Sequence, residues 1–190
     1  MRHPHNQIWA SSLVSPIQEK ILSNIAAYKE KTGMHLIQTV AEEELKQQER
    51  VVSENEDFVT VVPFWAVWPF EMIILPRKPK NSLLDLSESE LLNFTNSYIT
   101  AIEKLNALFV GDCPYSSGLY QAPTNGGDYE GVMYLMFRPP VLRDIRTKKW
   151  MVGYELMSMS QRDLTPEAAA FLLRDPVGWE KFKKKFIFNA

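Results

Sequence analysis

One amphipathic stretch, Ser87 to Leu108, separates strand-forming runs on either side of it and so confines the chain to a sheet packed by a helix. Ser87 and Glu90 stand at capping-box spacing, in which a hydroxyl and a carboxylate satisfy the open N–H groups of a helix start. Leu91, Tyr98, Ile102, Leu105 and Leu108 then recur at helical spacing and mark its buried side. Before the helix, Val51 to Leu75 turns to valine, phenylalanine, tryptophan and isoleucine, and predicts strands over Phe58–Pro63 and Phe70–Leu75. After it, Tyr115–Ala122 and Gly131–Arg138 predict two more, divided by Thr124-Asn125-Gly126-Gly127-Asp128, whose Asn-Gly pair is a hairpin signal. The fold class expected is α+β: an antiparallel sheet of three or four strands packed by one long helix.

The flanks add further elements. Ser15-Pro16-Ile17-Gln18 reads as a helix start with serine at the N-cap, proline at the first helical position and glutamine closing a capping box. Ile17, Ile21, Ile25 and Tyr28 follow at helical spacing, and Gly33 suits a left-handed C-cap. A second helix over Ala41–Arg50 is charged almost all round, which predicts an exposed element. Between the first two strands, Pro63-Phe64-Trp65-Ala66-Val67-Trp68-Pro69-Phe70 is a rigid aromatic turn, to be placed over a cavity or partner surface, or in a core corner. Pro139-Pro140 ends the sheet, and Thr165-Pro166 opens a last alanine-rich helix.

Composition narrows the function classes. A 190-residue chain with 45% hydrophobic and 23% charged residues suits one globular domain. A net charge of -2 gives no global attraction to nucleic acid or anionic membrane and favours small-molecule partners. No apolar run approaches the length that spans a bilayer. With Cys113 alone no intrachain disulfide can form, and a cytoplasmic setting is expected.

The opening residues, Met1-Arg2-His3-Pro4-His5-Asn6-Gln7-Ile8-Trp9, carry the most evident chemistry. As an extended strand they project His3, His5, Gln7 and Trp9 from one face. A neutral imidazole with one nitrogen fixed presents its other lone pair as a nucleophile toward phosphorus. By spacing alone, a nucleophile and a chance metal-binding or solvated pair stand as equal readings.

The longer string His3-Pro4-His5-x-Gln7-Ile8-Trp9-Ala10-Ser11 resembles the active-site motif of the galactose-1-phosphate uridylyltransferase family, within the histidine-triad superfamily. Similar blocks follow in order: Val62-Pro63-Phe64-Trp65-Ala66-x-Trp68-Pro69-Phe70-Glu71, Leu75-Pro76-Arg77, Pro114-Tyr115-Ser116, Ala122-Pro123, Arg138-Pro139-Pro140, Met151-Val152-Gly153-Tyr154-Glu155 and Gln161-Arg162-Asp163-Leu164-Thr165. The resemblance covers nearly the whole chain and corresponds to the C-terminal half of a family member.

The resemblance implies three segments. Residues 1–14 would be the active-site strand of a histidine-triad-like N-terminal half missing here, 15–50 connecting helices, and 51–190 the C-terminal histidine-triad-like domain. It implies a nucleotidyltransferase in which His5 attacks the α-phosphorus of UDP-glucose, releases glucose 1-phosphate and passes the uridylyl group to galactose 1-phosphate. Gln7 would steady the phosphate. Lys149, Trp150, Val152, Tyr154, Glu155 and Gln161 would meet the hexose and its phosphate across the interface of a homodimer. A truncated, non-catalytic domain that associates with a full-length subunit is the alternative, as is another nucleotidyl transferase or phosphorylase of the superfamily.

Metal sites depart from the family pattern. His3 would be one ligand of a zinc whose other ligands lie upstream in the family, so this chain alone is not expected to hold it; His35 and Cys113 are the other candidates. A second family metal site maps to Ile21, Tyr120, Tyr134 and Met136, none a ligand for a hard cation, so no second metal is expected and apolar packing is expected there.

Overall fold

A computed structural model describes residues 12–109, 113, 115–139 and 164–176. The elements run α1 (Pro16–Thr32), α2 (Leu36–Gln47), β1 (Val51–Glu54), β2 (Phe58–Val61), β3 (Met72–Pro76), α3 (Glu88–Phe109), β4 (Ser116–Tyr120), β5 (Tyr134–Arg138) and α4 (Pro166–Arg174). The strands form one antiparallel sheet of five in the order β1-β2-β3-β5-β4.

Both faces of that sheet are covered. Val59, Val61, Ile73, Leu75 and Tyr134 pack toward α1 and α2, whereas Phe58, Met72, Ile74, Leu135 and Phe137 pack toward α3 and α4. Every residue of β2 and β3 is therefore buried, which explains why these strands read as continuous apolar runs rather than alternating ones.

The fifth strand is β1, beyond the four that the sequence predicts. Asn55 makes it: its Oδ1 accepts the backbone N–H groups of Asp57 at 3.1 Å and Phe58 at 2.9 Å, closing a tight turn between β1 and β2. The Asn55 amide nitrogen then donates to Asn93 O and Ser97 Oγ, both at 2.9 Å, tying that turn to α3.

Both long-helix starts are built by their caps. Glu90 N–H donates to Ser87 Oγ at 3.3 Å, and Ser87 N–H to Glu90 Oε2 at 2.8 Å, so the box at α3 closes. The buried stripe runs through Phe94, Ala101, Leu105 and Leu108, with Tyr98 and Ile102 beside it. Leu91, expected on that stripe, is 45% exposed, because Phe94 takes the contact with Phe58 at a centroid distance of 5.3 Å. At α1 the Ser15 hydroxyl accepts Gln18 N–H at 3.3 Å, and Gly33 closes the helix at φ 72°. Gln18 does not complete a box there; its side chain reaches Gln121 O at 3.3 Å instead.

Two further expectations are corrected. The second helix begins at Leu36, not Ala41, and is not exposed all round: Ile37, Gln38, Ala41 and Glu44 are buried. Its buried charge is tolerated because Arg50 pairs with Glu44. The β4–β5 connection is longer than the 123–130 expected and runs over 121–133, and the strands pair antiparallel, Tyr120 against Tyr134. Asn125-Gly126 only bends this loop, Gly126 at φ 82°. The residues Lys80 and Asn81 hold it: Ala122 N–H donates to Asn81 O, Gly131 N–H to Asn81 Oδ1, Asn81 Nδ2 to Tyr129 O, and Met133 N–H to Lys80 O, all at 2.8–2.9 Å.

Candidate functional site

The residues to which the sequence assigns chemistry, His3, His5, Gln7, Lys149, Trp150, Val152, Tyr154, Glu155 and Gln161, lie outside the described residues. What the structure does assemble is a cleft of about 560 Å³ between α1, α2, the aromatic turn and the β3–β5 part of the sheet.

The turn supplies one wall. Ala66 N–H donates to Pro63 O at 2.8 Å and Glu71 N–H to Trp68 O at 3.0 Å, while Phe70 takes φ 61°. A positive φ at phenylalanine is uncommon, and it turns the chain so that the Phe70 ring enters the core while Trp65 and Trp68 stay over the cleft. Of the two placements open from sequence, Trp65 and Trp68 thus take the cavity wall and Phe70 the core, while the exposed Phe64 ring lies against the Arg50 guanidinium.

The floor comes from alternate residues of β3 and β5, Ile73, Leu75, Tyr134 and Met136, as the two-residue period of a strand requires. At the mouth, Glu71 and Arg138 stand on neighbouring strand ends, Oε1 and Nε 3.6 Å apart. Glu71 is 3% exposed and its Oε2 accepts Trp68 N–H at 3.4 Å. Burial pushes the Tyr134 phenol well above its ordinary value, with Tyr120 adding to the rise, so it stays protonated.

The four positions that the family resemblance would assign to a second metal site lie together here. Ile21, Tyr134 and Met136 line the cleft, and the Tyr120 ring stacks on Tyr134 with centroids 4.7 Å apart and planes 9° from parallel. An isoleucine, two phenols and a thioether do not suit a hard cation. The other zinc candidates do not meet either. His35 lies beside Glu130 on the α1/α2 side, its Nε2 3.9 Å from a Glu130 oxygen, whereas Cys113 is buried in the core on the α3 side with its thiol pushed up to about 11 by burial. Among the described residues no three His, Cys, Asp or Glu side chains group as a metal site.

Glu71 and Arg138 each fall inside a motif string, and nothing in the sequence pairs them. Sixty-six residues of chain lie between the two, and only the β3–β5 register brings them side by side.

Comparison with known proteins places the chain. The family model described as galactose-1-phosphate uridyl transferase, C-terminal domain, matches residues 21–185. A galactose-1-phosphate uridylyltransferase of Hypocrea jecorina is 40% identical over 175 residues, covering 90% of this chain and 46% of that protein. One from Neurospora crassa is 39% identical with 96% and 47% covered, and one from Haemophilus influenzae 38% identical with 90% and 50% covered. The chain spans about half the length of these curated relatives. Its fold superposes on a solved uridylyltransferase with a TM-score of 0.75 at 24% identity, covering 87% of this chain and 52% of that one. An ADP-glucose phosphorylase from Arabidopsis thaliana gives 0.68 at 22%, with 86% and 50% covered, and at these identities the likeness is one of fold.

Proposed function

The chain belongs to the galactose-1-phosphate uridyl transferase family, and we propose that it carries the nucleophile-bearing part of a UDP-glucose:hexose-1-phosphate uridylyltransferase of galactose metabolism. The observation that supports this is the family match over residues 21–185, downstream of the string His3-Pro4-His5-x-Gln7.

The reaction is a two-step exchange at phosphorus. A neutral His5 nitrogen bonds to the α-phosphorus of UDP-glucose while the bond from that phosphorus to the glucose 1-phosphate oxygen breaks, and glucose 1-phosphate leaves with the electron pair. A phosphate oxygen of galactose 1-phosphate then attacks the same phosphorus, the P–N bond breaks, and UDP-galactose departs with His5 restored. Gln7 donates its amide N–H to a phosphate oxygen, where negative charge gathers in the transition state. Lys149 complements the sugar phosphate; Glu155 and Gln161 satisfy hexose hydroxyls; Trp150, Val152 and Tyr154 shape the pocket, across the interface of a homodimer. His3 would serve as a structural zinc ligand only where the remaining ligands are supplied from outside this chain, and no step depends on it. The substrates are water-soluble sugar phosphates, which agrees with a cytoplasmic enzyme.

Incubation with UDP-glucose labelled in the uridylyl phosphate tests the proposal. Expected is an acid-labile adduct on His5 that is absent in His5→Ala. Folded protein that takes up no label overturns catalysis by this chain, and a chain that instead co-purifies with a full-length family subunit would be the non-catalytic domain.

A further inference from the structure

Three aromatic side chains and one buried carboxylate border the cleft. Trp65 and Trp68 keep 47% and 37% of their surface exposed on its wall, and the Tyr134 ring forms part of the floor, held by its stack with Tyr120. Ile73 continues that floor with aliphatic surface. A space of about 560 Å³ with a mostly apolar lining and a few converging polar groups has the dimensions and composition of small-molecule sites.

The polar end selects among molecules. Glu71 is 3% exposed, yet both of its contacts among the described residues are long, 3.4 Å from Trp68 N–H and 3.6 Å from Arg138 Nε. An ionised carboxylate offers about four acceptor positions, so it retains capacity for a further donor. Arg138, half exposed, balances its charge. A cation entering here meets Arg138 and an anion meets Glu71, whereas a neutral donor meets an acceptor with no charge left over. Flat rings suit the indole and phenol surfaces, since aromatic pairs gain from stacked or edge contacts beyond the area they bury.

We propose that this cleft binds an uncharged, flat aromatic molecule of two or three fused rings that bears a hydroxyl or N–H donor, its rings against Trp65, Trp68 and Tyr134 and its donor on Glu71. The site goes beyond uridylyl transfer, and none of its tests reads that activity.

Calorimetric titration of the full chain with 2-naphthol, 2-methoxynaphthalene and naphthalene-2-sulfonate tests it. Expected is saturable 1:1 binding of 2-naphthol, about tenfold or more tighter than the methyl ether, which keeps the rings and loses the donor, and likewise tighter than the sulfonate. Trp68→Ala should weaken 2-naphthol binding about tenfold. Asn24→Trp, on the exposed edge of α1 at the cleft, should block it without disturbing the core and keeps the test sound if Trp68→Ala folds poorly. Phe171→Ser, on α4 across the sheet, should leave it unchanged. Folded chain that binds no 2-naphthol, equal affinity for the methyl ether, or binding indifferent to both cleft variants overturns the proposal.

Discussion

The guanidinium of Arg50 straddles the carboxylate of Glu44, Nε donating to Oε1 at 2.9 Å and to Oε2 at 3.0 Å, with Glu44 only 4% exposed. From the same guanidinium Nη1 reaches Glu167 Oε1 at 2.9 Å, so one side chain ties α2, the entry to β1 and the first turn of α4. Burial lifts the Glu44 carboxyl above its ordinary value against the pull of Arg50. For Glu167, burial acts upward too, but the Arg50 hydrogen bond, its own backbone N–H, the Arg50 charge and Thr165 together hold it below.

Removing Arg50 should therefore be costly out of proportion to a surface charge. Arg50→Ala leaves Glu44 buried without its cation, and a loss of about 3–5 kcal/mol is expected. Glu167→Ala removes a carboxylate that is 42% exposed, and a loss below about 1 kcal/mol is expected. Urea unfolding of the two variants checks this, and equal losses would contradict the assignment.

Acid should loosen the start of α3. Glu90 is held down to about 2, first by Lys80, whose Nζ lies 2.8 Å from Oε1, and then by the Ser87 N–H. A carboxyl depressed on folding stabilises the fold above its unfolded value near 4.3, and that contribution is lost as pH falls from there through about 2. Glu90→Gln should cost roughly 1.5–3 kcal/mol at pH 7 and flatten the stability curve across that acid window. Thermal melts from pH 7 to pH 2 show it; parallel curves for the two proteins would speak against it.

Two glycines should respond differently to alanine. Gly131 sits at φ 63°, and an added Cβ would fall 2.9 Å from Gln38 Oε1 and 3.1 Å from His35 Nδ1. Gly126 sits at φ 82° with nothing within 4 Å of that position. Gly126→Ala should cost only the backbone strain, about 1 kcal/mol, and Gly131→Ala about 2–3 kcal/mol, because Gln38 is buried and must move as well. Denaturation midpoints separate the two; a milder effect at Gly131 would refute the close approach.

The hexose role proposed for Gln161 is separable from the nucleophile role proposed for His5. In a complete enzyme of this family carrying this C-terminal sequence, Gln161→Ala should slow the hexose half-reaction about tenfold or more while uridylylation of His5 changes less. Single-turnover measurement of each half-reaction decides it, and equal slowing of both would remove Gln161 from hexose recognition.

What was legible in the sequence is what neighbours in the chain settle between themselves. Ser87 with Glu90, Ser15 with Pro16 and Gly33, and Thr165 with Pro166 set the helix starts and stops, because caps act over three or four residues. The apolar runs of β2 and β3 announced buried strands for the same reason. The motif blocks from Val62 to Thr165 were legible as ordered strings, and the family match over residues 21–185 spans them, whereas the opening string from His3 to Ser11 lies outside that match.

Tertiary structure decided whatever depends on partners far along the chain. Glu44 is buried because Arg50 and α4 enclose it, which a charged helix read alone cannot reveal. The 121–133 segment follows Lys80 and Asn81 rather than its own Asn-Gly pair, since four long-range hydrogen bonds outweigh one local turn preference. The cleft exists only because sheet register brings Glu71 beside Arg138 and the turn lifts two tryptophans over Tyr134. Local propensity is additive along a sequence, whereas burial is a property of the assembled surfaces, and no single segment carries it.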